Sequence, residues 1–269
     1  KRNMNVKKAG IVGILDPLAS GMLPIVIGEA TKLSKYIENS LKQYNVEIKL
    51  GVRSDTGDNE GQLIFDEKPV PRYDSSIIEE KISEFVGDYY QIPPMYSAVK
   101  VKGKKLYELA REGIEIERDP RKVTITEINL LNYMENIINI NVKCSKGTYI
   151  RTLVEDIGQR LGVSSITNEL RREGVGDYQV SDMTALSYLK DERSCLEQLI
   201  DLADMVSQFP SIHISYEEEI SLRNGIKIGF HTNLSDTEVI MLNGFNKVVG
   251  IGYIANGIIS PKRILKISQ

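Results

Sequence analysis

Between Ile138 and Leu161 the spacing of the apolar residues changes once, and that change limits the folds open to the chain. Ile138, Ile140 and Val142 alternate with Asn139, Asn141 and Lys143, the pattern of a strand with one buried face. Past the turn at Lys146-Gly147, Ile150, Leu153, Val154, Ile157 and Leu161 recur at helical spacing, and Gly162 stands where a C-cap belongs. A half-buried strand feeding an amphipathic helix predicts a helix laid on one face of a sheet. Tyr44, Val46, Ile48 and Leu50 share a face of another alternating segment, and Val123 to Leu130 reads as a further strand. Ser76-Ile77-Ile78-Glu79 fits a capping box that opens a helix with Ile78, Ile82, Phe85 and Val86 on one stripe. Glu29 to Ser40 has helical character, and Tyr96 to Leu106 reads as a hairpin turning at Gly103 among four lysines.

A chain of 269 residues suggests about two domains. An acidic, helical connector after Tyr188 ends at Pro210, and the boundary is placed there. The remainder has short apolar runs and Gly225, Gly229, Gly244, Gly250, Gly252 and Gly257 at turn-like intervals, the pattern of a small all-β barrel. With Cys144 and Cys195 as the only cysteines, a disulfide framework and a paired-cysteine zinc site are excluded, and His213 and His231 lack metal-type spacing. No metal is expected. No run approaches the ~18 apolar residues of a membrane span, so a cytoplasmic protein without a membrane partner is expected. Lys1 stands where Met would, which predicts a chain that continues upstream.

The net charge of −3 speaks against a uniformly basic protein, but the charges are segregated. Lys1, Arg2, Lys7 and Lys8 meet no acid through Gly10; Lys100, Lys102, Lys104, Lys105 and Arg111 meet only Glu108. The acids gather elsewhere, at Asp74, Glu79, Glu80, Glu84 and Asp88 and at Glu217, Glu218 and Glu219. Each cluster alone reads as solvated surface; together they allow a basic face on an acidic molecule. Asp16 is the sole charge between Gly10 and Pro24, and an ionised carboxylate in apolar surroundings needs a cation or several donors. Asp16-Pro17 also fits an ordinary helix start. Arg151 sits where the strand turns into the helix, a usual place to present groups to an anion. Tyr44 alone reads as core.

Taken in order, Lys8-Ala9-Gly10, Leu15-Asp16-Pro17-Leu18-Ala19-Ser20-Gly21-Met22-Leu23-Pro24, Gly28-Glu29-Ala30-Thr31-Lys32, Ile92 to Lys100, Leu106 to Arg111 and Lys146-Gly147-Thr148-Tyr149-Ile150-Arg151-Thr152 resemble the bacterial tRNA pseudouridine synthase B family, TruB. Val249 to Tyr253 and Pro261-Lys262-Arg263 resemble its PUA-like RNA-binding domain. The resemblance implies an α+β fold: a catalytic domain over residues 1–209 with a central, largely antiparallel sheet, and a PUA-like all-β barrel over 210–269. It implies cofactor-free isomerisation of uridine 55 in the tRNA T-loop after base flipping, with the T-arm stem-loop as partner of a monomer. Asp16 matches the catalytic aspartate, Tyr44 the tyrosine stacked on the target base, Arg151 the arginine paired with the aspartate, and Tyr149 and Leu170 further residues lining the base pocket. Lys100, Lys102, Lys104, Lys105, Arg171 and Arg172 are the expected RNA contacts.

The family's loop usually reads Gly-His-Thr-Gly-Thr-Leu-Asp-Pro, whereas here it is Gly10-Ile11-Val12-Gly13-Ile14-Leu15-Asp16-Pro17. Ile11 takes the place of a histidine at the substrate and can neither hydrogen-bond nor carry charge. The family's Lys-Pro-x-Gly-x-Thr-Ser segment does not occur in the sequence. An alternative is therefore an impaired relative that binds or folds tRNA on the same scaffold. A glycosyl hydrolase built on Asp16 would need a second carboxylate, for which the sequence offers no clear candidate.

Overall fold

The structure is a computed structural model that describes residues 3–101, 103–207 and 209–266. The chain separates into two compact units, one of Lys1–Gly13, Pro24–Glu38 and Thr184–Gln269, the other of Ile14–Leu23 and Asn39–Met183. The linear division after residue 209 falls inside the first unit, whose last segment begins at Thr184.

The second unit is built on a six-stranded sheet. Its strands are β2 (Ser20–Gly21), β4 (Lys42–Leu50), β7 (Gly87–Gln91), β10 (Arg121–Met134), β11 (Ile137–Cys144) and β12 (Ser165–Val175). They lie in the order β2-β12-β4-β11-β10-β7, and every neighbouring pair is antiparallel except β2 with β12. Alternation does what the sequence predicts: Val46, Ile48, Ile138, Ile140 and Val142 are buried together on one face. That face is covered by α2 (Ser75–Ser83) and α4 (Ile150–Leu161). Leu153, Val154 and Ile157 of α4 are fully buried there, worth roughly 1.5–3 kcal/mol each. Gly162 ends α4 with φ of 80°, its N–H on the Gln159 carbonyl at 3.1 Å. The other face carries polar side chains such as Asn45, Glu47 and Asn141.

Two local expectations change. Helix α2 starts at Ser75 behind Asp74, so Ser76 and Glu79 do not form its capping box, and the Asp74 side chain makes no cap bond. The earlier start puts Ile78 and Ile82 against the sheet and leaves Ser76 inside the first turn. Phe85 extends the buried stripe, but Val86 is 51% exposed because Gly87, at φ of 103°, turns the chain away into β7. Around this core lie the ribbon of β5 (Val52–Ser54) and β6 (Leu63–Phe65) and the hairpin of β8 (Lys100–Val101) and β9 (Lys104–Lys105). The hairpin is shorter than its sequence span and runs straight into α3 (Leu106–Arg111).

In the first unit, β1 (Ala9–Ile11) pairs antiparallel with β3 (Ile25–Ile27), which leads through a 3₁₀ turn, Gly28–Leu33, into α1 (Ser34–Asn39). The connector supplies α5 (Glu192–Leu196) and α6 (Leu202–Met205). The tail is a five-stranded curled half-barrel of β13 (Ser211–His213), β14 (Ile228–Gly229), β15 (Thr237–Leu242), β16 (Val248–Ala255) and β17 (Ile258–Ile264), in the order β13-β15-β16-β17-β14. Its core includes Ile212, Val239, Met241, Val249, Ile254 and Ile259. Gly250 permits the curl, because a Cβ there would lie 2.1 Å from the Arg263 carbonyl oxygen. The tail also holds α7 (Tyr216–Arg223), whose Leu222 enters that core. Ser215 and Glu218 form its capping box, so the acids Glu217 to Glu219 are first-turn residues favoured by the helix N-terminus.

Candidate active site

Asp16 is not a helix cap. It sits in a tight turn closed by the Ala19 N–H on its own carbonyl at 2.9 Å, and Leu18 and Ala19 pack against the sheet core. The turn is fastened by β2, where Ser20 and Gly21 lie opposite Arg171 and Arg172 and the Met22 N–H donates to the Arg172 carbonyl at 2.8 Å. Only glycine fits at position 21: its φ is 97°, and a Cβ would stand 2.2 Å from that carbonyl oxygen.

The sole charge of the loop has the partner its chemistry requires. Arg151 Nε donates to Asp16 Oδ2 at 2.8 Å. The guanidinium is buried, 5% exposed against 35% for the aspartate, and its other nitrogens are matched as well. Nη1 donates to the Thr56 carbonyl at 2.6 Å and Nη2 to the Tyr96 carbonyl at 2.8 Å. Asp58 Oδ2 stands 3.6 Å from Nη1. Held on several sides, the guanidinium can offer its Nε–H in one direction only, toward Asp16.

Asp58 and the loop around it were not singled out in the sequence. The structure makes this loop the seat of the arginine. Asp58 is buried and accepts from Thr56 Oγ1 at 2.6 Å and from the Glu60 N–H at 3.1 Å. Thr167 N–H donates to the Gly57 carbonyl at 3.1 Å and ties the loop to β12. Gln91 was missed too. Buried at the end of β7, it pairs with the backbone of Tyr149, donating to its carbonyl at 2.9 Å and accepting from its N–H at 2.7 Å. It thereby fixes the residue that precedes α4, two positions before Arg151. A buried Asp in an Asp/Gly-rich loop and a lone Gln at a strand end carry no local pattern that separates them from surface residues.

Tyr44 points from β4 to the face where α4 lies, opposite Val142 and Arg172 in the neighbouring strands. Burial pushes its phenol up to about 12, so it stays neutral at pH 7, with its oxygen hydrogen-bonded to Arg172. The charge of Asp16 also reaches it. Leu170 lies opposite Val46 and is buried in the same core. Asp16, Arg151, Tyr44, Tyr149 and Leu170 all belong to the second unit.

The expected RNA contacts divide. Lys100 and Lys104 are exposed on the hairpin; Lys105 is half-buried, its ammonium 3.1 Å from the Tyr107 hydroxyl. Lys102 lies outside the described residues. Arg171 is partly exposed and paired with Glu173 at 2.7 Å. Arg172 is 2% exposed, and its Nε donates to the Met22 carbonyl at 2.7 Å. Ile11 lies in β1 of the first unit, 55% exposed, whereas Val12 is buried and fills apolar space. A cleft of about 590 Å³ involves Leu18, Val46 and Leu170 together with polar residues such as Asn45, Asn139 and Asn168. Glu47, Glu60 and Glu169 there outnumber the single Arg171, which suits no polyanion. Among the described residues no group of three or more His, Cys, Asp and Glu is placed to hold a metal ion, and no helix is long and apolar enough to cross a membrane.

Residues 1–150 match the profile of the TruB family pseudouridylate synthase N-terminal domain, and residues 151–206 that of the tRNA pseudouridylate synthase B C-terminal domain. Proteins named tRNA pseudouridine synthase B are 40% identical in Coxiella burnetii (strain Dugway 5J108-111), over 99% of this chain and 88% of theirs, and 39% identical in Haemophilus influenzae (strain PittEE), over 98% and 88%. Among solved structures, a chain from a Cbf5-Nop10-Gar1 complex superposes with a TM-score of 0.73 at 20% identity, over 100% of this chain and 78% of that one, which supports the fold. With the motifs in order, the aspartate paired to its arginine and both profiles matched, this chain belongs to the TruB family of pseudouridylate synthases.

Proposed function

We infer that this protein is a tRNA pseudouridine synthase and that its target is uridine 55 in the T-loop. The observation that carries the reading is the 2.8 Å pair between Asp16 and the buried Arg151. The reaction breaks the N-glycosidic bond, turns the uracil and joins its C5 to C1′. An ionised Asp16 is the group that meets the ribose. Attack on C1′ and removal of the 2′ proton both start from that carboxylate oxygen. Arg151 holds it in place through the 2.8 Å pair. Tyr44, kept neutral by burial, offers a flat face to the turning base, and Leu170 closes the pocket without competing hydrogen bonds.

The uridine must first leave its loop stack, at a cost of a few kcal/mol. Lys100, Lys104 and Lys105 on the hairpin, together with Lys102, are the groups that offset this cost through phosphate contacts. The hairpin follows Tyr96, whose carbonyl is one of the acceptors for Arg151, so the RNA-gripping segment and the catalytic centre share an anchor. We assign catalysis to residues 1–209 and RNA binding by a PUA-like module to 210–269. The chain acts as a monomer, without cofactor, in the cytoplasm where its substrate is.

A single-turnover assay on a labelled T-arm hairpin, with excess protein and a pseudouridine-specific adduct as readout, tests this. Product from the wild type and a loss of about a thousandfold or more in Asp16→Asn are expected. Full activity of Asp16→Asn would sink the mechanism, and bound but unconverted hairpin would sink the function.

A further inference from the structure

Past β7 the chain runs as a strap, Pro93 to Tyr96, toward the lysine hairpin, and an arginine holds each end of its backbone. Arg151 Nη2 donates to the Tyr96 carbonyl at 2.8 Å. At the other end, Arg118 Nη1 donates to the Pro93 carbonyl at 3.3 Å. Pro93 is buried, and a buried carbonyl left without a donor is costly. Between the two arginines the strap has little freedom. Pro93 and Pro94 fix two successive φ angles, and the Ser97 N–H closes a turn on the Met95 carbonyl at 2.9 Å. Beyond the turn, the Tyr107 N–H donates to the Ser97 carbonyl at 3.1 Å and the Leu106 N–H to the Val99 carbonyl at 2.8 Å, which joins the strap to α3. A shift of Pro93 is therefore passed on to the Tyr96 carbonyl instead of being absorbed on the way.

Arg118 comes from the segment between α3 and β10, and the chemistry described above makes no use of it. Its side chain is 19% exposed, its Nη2 pairs with Glu115 at 3.0 Å, and its Nε is buried without a hydrogen-bond partner. Glu115 is 78% exposed, so that pair is worth little and does not account for a guanidinium drawn under the strap. Glu155, one turn beyond Arg151 on α4, relates Arg118 to the centre. A Cβ on Gly57 would stand 2.9 Å from Glu155 Oε1 and 3.4 Å from Arg151 Cβ, so the carboxylate and the arginine flank the same residue of the Thr56 loop. Although Glu155 meets solvent, partial desolvation pushes its carboxyl up, opposed by Arg151 first and Arg118 second. One carboxylate thus feels both arginines. The strap, Arg118, Glu155 and Arg151 all belong to the second compact unit.

We propose that Arg118 is a positioning residue for the isomerisation: by holding the Pro93 carbonyl it sets where the Tyr96 carbonyl stands, and with it the direction in which Arg151 offers its Nε–H to Asp16. It acts through Arg151 and not on the base or the ribose. The link to catalysis rests on the functional reading above.

The test compares Arg118→Met, which keeps the length but removes the donors and the charge, with Arg118→Lys, which keeps one donor for the Pro93 carbonyl. Arg118→Gln, uncharged and too short to span to that carbonyl, serves as a second disrupting variant should Arg118→Met not fold. The single-turnover rate with saturating excess protein and the Kd are measured on the T-arm hairpin. The Nε–H resonance of Arg151 is followed in protein carrying isotope-labelled arginine. In Arg118→Met and Arg118→Gln we expect the rate to fall about thirtyfold, the Kd to stay within about twofold and the Arg151 signal to move, as for a misplaced catalytic group. Arg118→Lys returns the rate to within about threefold of wild type and restores the signal. With protein in excess, a smaller folded fraction leaves the rate unchanged, so a merely structural role lowers the thermal midpoint and not the rate. An unchanged rate in the disrupting variants, a loss confined to Kd, or an Arg118→Lys variant as slow as Arg118→Met would each overturn the proposal. A wild type that makes no pseudouridine would overturn the functional reading. The Arg151 signal, read without turnover, then decides the placement by itself, and a signal identical in Arg118→Met and wild type would overturn the proposal too.

Discussion

The Arg151 centre and the Lys100–Lys105 hairpin both use cations, and they use them in opposite ways. Arg151 is 5% exposed and bonds an aspartate and the backbone carbonyls of Thr56 and Tyr96. Lys100 and Lys104 are exposed on two-residue strands. In the first region the value of the charge depends on geometry, since a buried cation is costly unless every donor is matched. In the second it depends on number, since exposed charges act through a screened field that tolerates movement. One region is expected to govern the rate of the chemical step, the other the salt-dependent capture of RNA.

The most damaging way to break the first region short of its reacting groups is Asp58→Asn. It removes a charge 3.6 Å from Nη1 but keeps a side chain able to accept from Thr56, so the fold is retained. We expect kcat on the T-arm hairpin to fall about a hundredfold with little change in binding, as for a misplaced catalytic group; an effect on affinity alone would break the contrast. Gln91→Leu comes next. Two backbone groups of Tyr149 lose their partner, so the midpoint of denaturation should drop by the equivalent of about 1–3 kcal/mol, with kcat falling as Arg151 loosens. Full stability would show that water replaces the amide. The double variant Lys100→Gln, Lys104→Gln sharpens the other side. Hairpin affinity should weaken severalfold at low salt and converge on wild type as salt rises, while kcat at saturation stays constant.

The smallest effect belongs to Asp156, on α4 one turn beyond Arg151. Burial pushes its carboxyl up to about 6, opposed by Arg160, and Tyr89 hydrogen-bonds to it. A carboxyl raised in the folded state takes up its proton more readily there than in the unfolded chain. Its favourable contribution is complete below about pH 4 and is lost as pH rises through about 6. Asp156→Asn should therefore melt slightly above wild type at pH 7.5, with the gap closing by pH 4. A gap that widens on acidification would show that the ionised form is the stabilised one.

Much of this was legible in the sequence, for a reason that differs by element. Strand β4, strand β11 and helix α4 announced themselves because their apolar periods coincide with the faces they bury, and the unbroken run from Leu15 to Pro24 is long enough to mark a family. Asp16 and Arg151, 135 residues apart, could be paired only through that resemblance. Asp58 and Gln91 stayed hidden because their role is to satisfy backbone and guanidinium groups supplied by other segments, and such a role leaves no period. Arg171 and Arg172 read alike in the sequence, but adjacent residues on a strand face opposite ways, and here Arg171 is exposed and Arg172 buried. Helix α7 was obscured by three successive acids that read as a surface patch and proved to be its first turn.

The clamp of Gly21 on β12 bears on more than catalysis. With the sheet ordered β2-β12-β4, the short strand β2 covers part of what would otherwise be an open outer edge at β12. Open edges invite pairing with other chains. The turn that presents Asp16 therefore also guards the sheet, and a substitution that springs it, such as Gly21→Val, endangers solubility along with turnover. Losses of yield at this position and losses of activity have one origin, and variants here sort by how far the edge is uncovered.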